Sequence, residues 1–163
     1  TEGKTSMTNE EKAYIAGFLD GDGCIMLQLV YRHDYVLGYQ IRASVVFYQK
    51  QQYISFFEWL KVQFEDIGYI RKRNDGMCEY TIVGISDVTK VLKLLFPYLR
   101  LKKKQAEIAL DVISQMPGSG RKMTKEMLLR LALEVDRFIE LNYSKKRTNT
   151  SVKLKEYLIS KHI

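Results

Sequence analysis

The sequence predicts an α+β fold: an antiparallel four-stranded sheet with helices on one face and the other face left open. Three observations lead there. Strand-like runs come in two pairs, the first joined over 31–38 and the second by the turn Asn74-Asp75-Gly76, both connections of eight residues or fewer. Such turns make hairpins, because a parallel pair needs a long crossover. Helical patterns precede each pair, and the carboxy-terminal part of the chain is helical in pattern throughout. A sheet built of hairpins with helices between them buries one face against those helices.

Each element has its own warrant. Thr8 and Glu11 form a capping box that opens a helix carrying Ala13, Tyr14, Ile15, Ala16, Gly17, Phe18 and Leu19. Because that helix is apolar nearly all round, it is buried or packs against another chain. It stops at Asp20-Gly21-Asp22-Gly23, where two glycines permit a sharp exit. A strand follows over 24–30, then a loop or twisted hairpin over 31–38. A second strand over 39–48 alternates: Tyr39, Ile41, Ala43, Val45 and Phe47 face the core, and Gln40, Arg42, Ser44, Val46 and Tyr48 face outward. The stripe Ile54, Phe57, Leu60, Phe64 predicts a helix over 53–66. Strands over 69–73 and 79–83 close around Asn74-Asp75-Gly76, a strong turn signal. Ser86 is the expected cap of a helix through Val88, Val91, Leu92 and Leu95, ended by Pro97. Helical patterns then cover 103–116, 124–141 and 152–161, with a break at Pro117-Gly118-Ser119-Gly120. The expected organisation is one domain over 1–163, with 1–8 a lead-in and 144–163 a basic segment and helix.

Composition narrows the function. A hydrophobic content of 46% supports a sizeable core and excludes a disordered chain. Lysine and arginine outnumber acids 26 to 19, for a net charge of +7. That surplus favours a polyanion, since cations that neutralise phosphates release counterions, although charge alone does not fix the partner. The two cysteines, Cys24 and Cys78, form no CxxC, and the two histidines, His33 and His162, lie far apart. This is too little for a structural zinc site, so buried reduced thiols are expected. No apolar run approaches a membrane span and no secretory leader stands at the start, which predicts a soluble, intracellular chain with no membrane partner.

The chemistry concentrates in Asp20-Gly21-Asp22-Gly23. Two acids at a helix end can aim carboxylate oxygens and a free carbonyl at a hard cation, although the same tetrapeptide also suits a solvated turn. An EF-hand is excluded, because Cys24 and Ile25 stand where it needs an acid and a glycine. The surrounding nonapeptide, Ile15-Ala16-Gly17-Phe18-Leu19-Asp20-Gly21-Asp22-Gly23, resembles the motif of the LAGLIDADG homing endonucleases, specifically the single-motif, intron-encoded, homodimeric kind. The stretches from Tyr39 to Lys50, from Gly68 to Arg73 and from Phe96 to Ala106 resemble the same proteins. The likeness spans roughly 14–141.

What the resemblance implies is specific. The sheet is expected to carry DNA on its open face, and the enzyme to make a double-strand break by magnesium-dependent phosphodiester hydrolysis. Asp22 matches the essential metal-binding acid, with the Gly21 carbonyl beside it. Gln49 matches a glutamine that organises water, and Lys102 a lysine near the scissile phosphate. Asp20 matches the first acid, whose role is more structural. Tyr53 stands where close relatives carry a basic residue, so this chain departs from the pattern there. Two or more magnesium ions per dimer are expected, with manganese or calcium able to occupy the same sites, and no small-molecule cofactor. An organellar setting, chloroplast or mitochondrion, is implied by the same likeness.

Only one copy of the motif is present, and 129–141 lacks the Ala-Gly pair and the terminal Asp-Gly. A shared site needs two acids, so a symmetric homodimer is expected, reading a long pseudo-palindromic DNA site. Ile15, Ala16, Phe18, Leu19 and Asp20 are the expected interface. Base edges are expected to meet Gln28, Arg32, Tyr35, Gln40, Arg42, Ser44, Tyr48, Arg71, Arg73, Glu79 and Thr81, though any one of these also suits a wet sheet face. Lys103, Lys145 and Lys146 are the expected phosphate contacts. Two rival functions remain on sequence grounds. An RNA-splicing maturase needs a basic surface but not Asp22, and a DNA-binding regulator has no use for an acid beside phosphate.

Overall fold

The computed structural model describes residues 6–118, 120–142 and 148–163. Ten principal elements run in the order α1 (Asn9–Asp22), β1 (Gly23–Tyr31), β2 (Tyr39–Lys50), α2 (Ile54–Gln63), β3 (Tyr69–Lys72), β4 (Met77–Val83), α3 (Ile85–Leu95), α4 (Lys103–Gln115), α5 (Lys125–Glu140) and α6 (Ser151–Ser160). The strands form a four-stranded antiparallel sheet in the order β1-β2-β4-β3, the α+β arrangement expected of two hairpins. The chain divides into two compact units. One holds the start of the chain through Ile25 together with Ser44–Ala106; the other holds Met26–Ala43 and Glu107–Ile163.

In the first unit the alternation of β2 and β4 sorts residues between two faces. Val45 pairs with Ile82 and Phe47 with Tyr80, and these four are buried beneath helices. Phe18 of α1 stacks on Phe47 at 6.0 Å between ring centroids, while Phe57 and Phe64 of the α2 region meet Tyr80 at 6.2 and 6.4 Å. Each large apolar side chain closed off in this way contributes roughly 1.5–3 kcal/mol. An exposed ion pair contributes about 0–1 kcal/mol, so the helix-covered face holds the sheet in place.

The second unit has a helical core, in which Leu128, Leu131, Ala132, Val135 and Phe138 of α5, and Leu154 and Leu158 of α6, are fully or almost fully buried. Ser151 at the start of α6 donates from its hydroxyl to the Asp136 carboxylate. The Asn149 amide donates to the Leu29 carbonyl of β1 at 3.0 Å. The loop between β1 and β2 closes against α6: Tyr31, Tyr39 and Tyr157 form a ring cluster with centroids 5.3 to 5.6 Å apart. Gly38 lies so close to Tyr157 that a Cβ there would sit 2.2 Å from the ring.

Local details refine the expected boundaries. The capping box is present: Thr8 Oγ1 accepts from the Glu11 N–H at 3.1 Å, and Glu11 accepts from the Thr8 N–H at 3.1 Å. The motif helix runs on through Asp22 and leaves through Gly23 in an extended conformation. Glycine is needed at 23 for space rather than for left-handed backbone, because a Cβ would lie 2.5 Å from the Leu19 side chain and 2.9 Å from its carbonyl. The helix expected over 53–66 ends at Gln63, and the next turn holds Glu65 and Asp66 at φ 59° and 64°. Ser86 does not cap α3. The N-cap is Gly84 at φ 96°, a left-handed turn that brings β4 into the helix, and Ser86 falls in the first turn.

Candidate active site and nucleic-acid interface

The carboxy-terminal end of α1 carries the first three functional groups. Asp22 is exposed at the end of the helix, and among the described residues no ion pair involves it. The Gly21 carbonyl lies in the last turn, where helix carbonyls lack intrahelical partners. Asp20, one turn position earlier, points elsewhere. Its carboxylate accepts the main-chain N–H groups of Arg100 at 2.8 Å and Lys102 at 2.9 Å. Its own carbonyl accepts the Lys102 ammonium at 2.6 Å. Lys102 is thereby held against the end of the helix that presents Asp22. The neighbouring Cys24 thiol is pushed up by burial, against the opposing pull of the Lys102 charge.

Gln49 lies near the end of β2, half-buried, opposite Cys78 on β4. Its carbonyl oxygen accepts the Lys50 N–H at 2.9 Å, which leaves the amide NH₂ as the outward donor. Gln51 ties the same strand end to the second hairpin: its amide donates to the carbonyls of Arg73 at 2.6 Å and Met77 at 3.1 Å. Tyr53 is half-exposed in the turn after β2. Its phenol is no cation, and Lys50 is the exposed cation closest to it in sequence.

The open face of the first unit carries Tyr48, Glu79, Arg71 and Arg73. Arg71 donates to Glu79 at 3.1 Å, and Arg73 bridges Glu79 at 3.4 Å and Asp75 at 2.7 Å. The acids hold both guanidinium forks in place, and because such exposed pairs are worth only about 0–1 kcal/mol they yield readily to a better acceptor. The Tyr48 phenol is pushed up by burial and by Cys24 and Glu79, and so keeps its proton at neutral pH. Ser44 and Thr81 share this face but are buried, at 5% and 7% exposure. The same holds for Val46, so three of the positions expected to face outward do not project.

In the second unit Gln28, Gln40, Arg42 and Arg32 are exposed and Tyr35 is half-exposed. Arg32 is paired with Asp34 at 2.8 Å and lies over the Tyr35 ring at 5.3 Å from its centroid. Lys103 is exposed at the start of α4, with its ammonium 5.1 Å from the Phe96 ring centroid. Lys145 and Lys146 fall outside the described residues.

Three of the five expected subunit contacts need correction. Ile15, Ala16 and Leu19 are fully buried inside their own chain, so they cannot meet a second copy. Phe18 is half-buried within an aromatic cluster, and Asp20 is held by Arg100 and Lys102. The exposed side of α1 is instead Ala13, Tyr14, Gly17 and Gly21, and open space surrounds both glycines. Small residues four apart at 13, 17 and 21 were the signal for this face in the sequence. The Asp20 contacts had no such signal, since the partners lie eighty and more positions away.

A divalent cation fits the residues present. An exposed carboxylate and a terminal helix carbonyl are hard oxygen donors, and magnesium characteristically takes one or two carboxylates and completes its shell with water and phosphate oxygens. Among the described residues, no group of three or more acids, histidines or cysteines converges on one point. One chain therefore offers an incomplete shell, to be filled by solvent, substrate or a second copy.

Comparison with known proteins agrees with this geometry. The profile of the LAGLIDADG endonuclease family matches residues 15–110. The chain is 39% identical to the DNA endonuclease I-CvuI of Chlorella vulgaris, over 90% of this chain and 88% of that protein. It is 33% identical to the DNA endonuclease I-CreI of Chlamydomonas reinhardtii, over 96% and 93%. The crystal structure of I-CvuI with its target and calcium superposes with a TM-score of 0.86, covering 93% of this chain and 94% of that one at 36% identity. The archaeal intron-encoded I-Vdi141I, bound to DNA, shares the fold at a TM-score of 0.80 with only 16% identity. With the motif helix, the paired hairpins and the acid at the helix end all in place, the chain belongs to the LAGLIDADG endonuclease family.

Proposed function

We propose that this chain is a site-specific homing endonuclease that acts as a homodimer and cuts both strands of a long, pseudo-palindromic DNA site. The observation that carries the reading is the end of α1, which presents an exposed Asp22, in no ion pair among the described residues, and also holds a lysine through three hydrogen bonds between Asp20 and the Arg100–Lys102 segment. A solvated turn accounts for the exposed carboxylate but not for an ammonium tethered to the same helix end. Phosphodiester hydrolysis has a use for both.

Asp22 and the Gly21 carbonyl would hold magnesium, shared with the same groups of a second copy. When bound, that ion polarises the phosphate and favours attack by water and departure of the 3′ oxygen. Lys102 supplies a positive charge for the phosphate as negative charge gathers on it, worth most in the water-poor seam of a protein–DNA complex. The Gln49 amide, with its carbonyl already engaged, is oriented to hold water by its NH₂ group. Tyr53 takes no proton-transfer part, and Lys50 is the cation available in its place.

Two copies meet through the Ala13, Tyr14, Gly17, Gly21 face of α1, where the absence of Cβ atoms lets backbones approach. The symmetry brings one Asp22 from each copy to the same seam, and the two carboxylates repel until cations separate them. Both units act as one endonuclease domain. Exposed Arg71, Arg73, Arg42, Arg32, Gln28 and Gln40 read base edges, with Tyr48 and Tyr35 adding a donor and a stacking surface. Ser44, Thr81 and Glu79 shape that face from beneath or hold its arginines, and Lys103, Lys145 and Lys146 contact phosphates. No helix among the described residues is long and apolar enough to cross a membrane. The algal sources of both named relatives support an organellar intron as the host element.

The test is cleavage of a library of long, partly palindromic duplexes with magnesium. The expected result is a narrow set of sites, each cut on both strands, with no cutting when the metal is chelated. Tight DNA binding with no cutting in the presence of magnesium would contradict the proposal and favour a regulator.

A further inference from the structure

Asp20 uses its whole polar side chain on the backbone of a distant segment. Both carboxylate oxygens accept main-chain N–H groups, those of Arg100 and Lys102, and the same residue's carbonyl accepts the Lys102 ammonium. Among the described residues no lysine or arginine forms an ion pair with the carboxylate. The arrangement is a reciprocal cap. Lys102 opens α4, since its carbonyl accepts the Ala106 N–H at 2.9 Å, and its own N–H would otherwise be an orphan of the helix start. A carboxylate is well placed there, at the positive end of α4. In return, the Lys102 ammonium satisfies an orphan carbonyl at the negative end of α1.

A lysine left to itself is a flexible stem with a mobile charge. Here both its main chain and its ammonium are fixed by one residue. We infer that Asp20 is a positioning residue that sets the place of Lys102 relative to Asp22, so that charge is already in register when DNA enters. This rests on the reading of Lys102 as the group that faces the reacting phosphate. One of the three ammonium hydrogens is used by the Asp20 carbonyl, which leaves two to meet phosphate. The Asp20→Asn change retains shape but directs an NH₂ group at a main-chain donor, which releases the clamp.

The test is a double-mutant cycle on the homodimer with a cleavable duplex: parent, Asp20→Asn, Lys102→Met and the double variant. Single-turnover cleavage is measured with magnesium, and DNA affinity with calcium. Asp20→Asn is expected to slow cleavage about 10–100-fold, the scale of a displaced catalytic group. DNA affinity stays within about twofold, and the double variant is no slower than Lys102→Met. Losses that multiply in the double variant, or an unimpaired Asp20→Asn enzyme, would overturn the inference. If Lys102→Met alone cuts at the parent rate, the reading of Lys102 itself has failed, and the inference falls with it. A measurement on the parent dimer covers the case in which Asp20→Asn does not fold. By NMR the Lys102 ammonium should be ordered and slow to exchange, in contrast to that of the exposed Lys155 on α6, and equal mobility of the two would overturn the inference as well.

Discussion

At the scale of single residues, Tyr80 shows how one polar atom is carried inside an apolar core. The side chain is fully buried among Phe47, Phe57 and Phe64, and its hydroxyl donates to the Ile67 carbonyl at 2.6 Å. Tyr80→Phe should therefore cost about 1–3 kcal/mol in urea unfolding, because the Ile67 carbonyl loses its partner without gaining water. Burial pushes the phenol above its usual value of 10.0. The unfolded chain then releases this proton at a lower pH than the folded one, so the stabilisation by Tyr80 is full below pH 10 and declines above it. The parent's advantage over Tyr80→Phe should shrink as pH rises past 10, and a constant difference would contradict the assignment. The place of Asp22 at an exposed helix end was legible, because Asp-Gly-Asp-Gly marks a helix exit, whereas its role as the metal-binding acid comes from the resemblance of the whole nonapeptide. The Asp20 clamp was not legible, because nothing local in the sequence links it to Arg100 and Lys102.

At the scale of elements, the hairpins were legible because alternation and turn chemistry are local. Gly76, at φ 83°, closes the β3–β4 turn that Asn74-Asp75-Gly76 announced. The boundaries that differ were set by backbone conformation. Gly84 replaces Ser86 as the cap of α3 because the chain enters the helix through left-handed backbone, and alternation alone does not foretell the burial of Ser44 and Thr81. A pair of glycines separates the two effects. Gly38 and Gly76 have similar φ, 77° and 83°, but only Gly38 faces a ring, that of Tyr157. Gly76→Ala should cost about 1–2 kcal/mol of backbone strain. Gly38→Ala should cost a further ~1–3 kcal/mol for displacing Tyr157, and α6 should loosen with it. Equal losses in thermal unfolding would mean that α6 does not brace the loop.

At the scale of the whole molecule, charge and symmetry decide the behaviour. A net charge of +7 per chain, with exposed arginines on the sheet, predicts DNA affinity that falls steeply with salt. The logarithmic slope should be several units, at about −0.9 for each phosphate neutralised, and a slope near zero would remove the sheet as the DNA face. The homodimer was legible from the single motif, since one acid per chain leaves a two-acid site incomplete. Which side of the motif helix stays exposed was harder to read, because the apolar pattern runs nearly all round; the small residues at 13, 17 and 21 were its one sequence signal, and burial separates Ile15, Ala16 and Leu19 from Ala13, Tyr14 and Gly17. The most direct measurement is cleavage and binding by Asp22→Asn beside the parent, on a duplex the parent cuts. The variant should bind that duplex in calcium about as well as the parent and lose at least roughly 10²–10³-fold in magnesium-dependent cleavage of both strands. Parent-like cleavage by Asp22→Asn would contradict the assignment of the reaction to the acid at the end of α1.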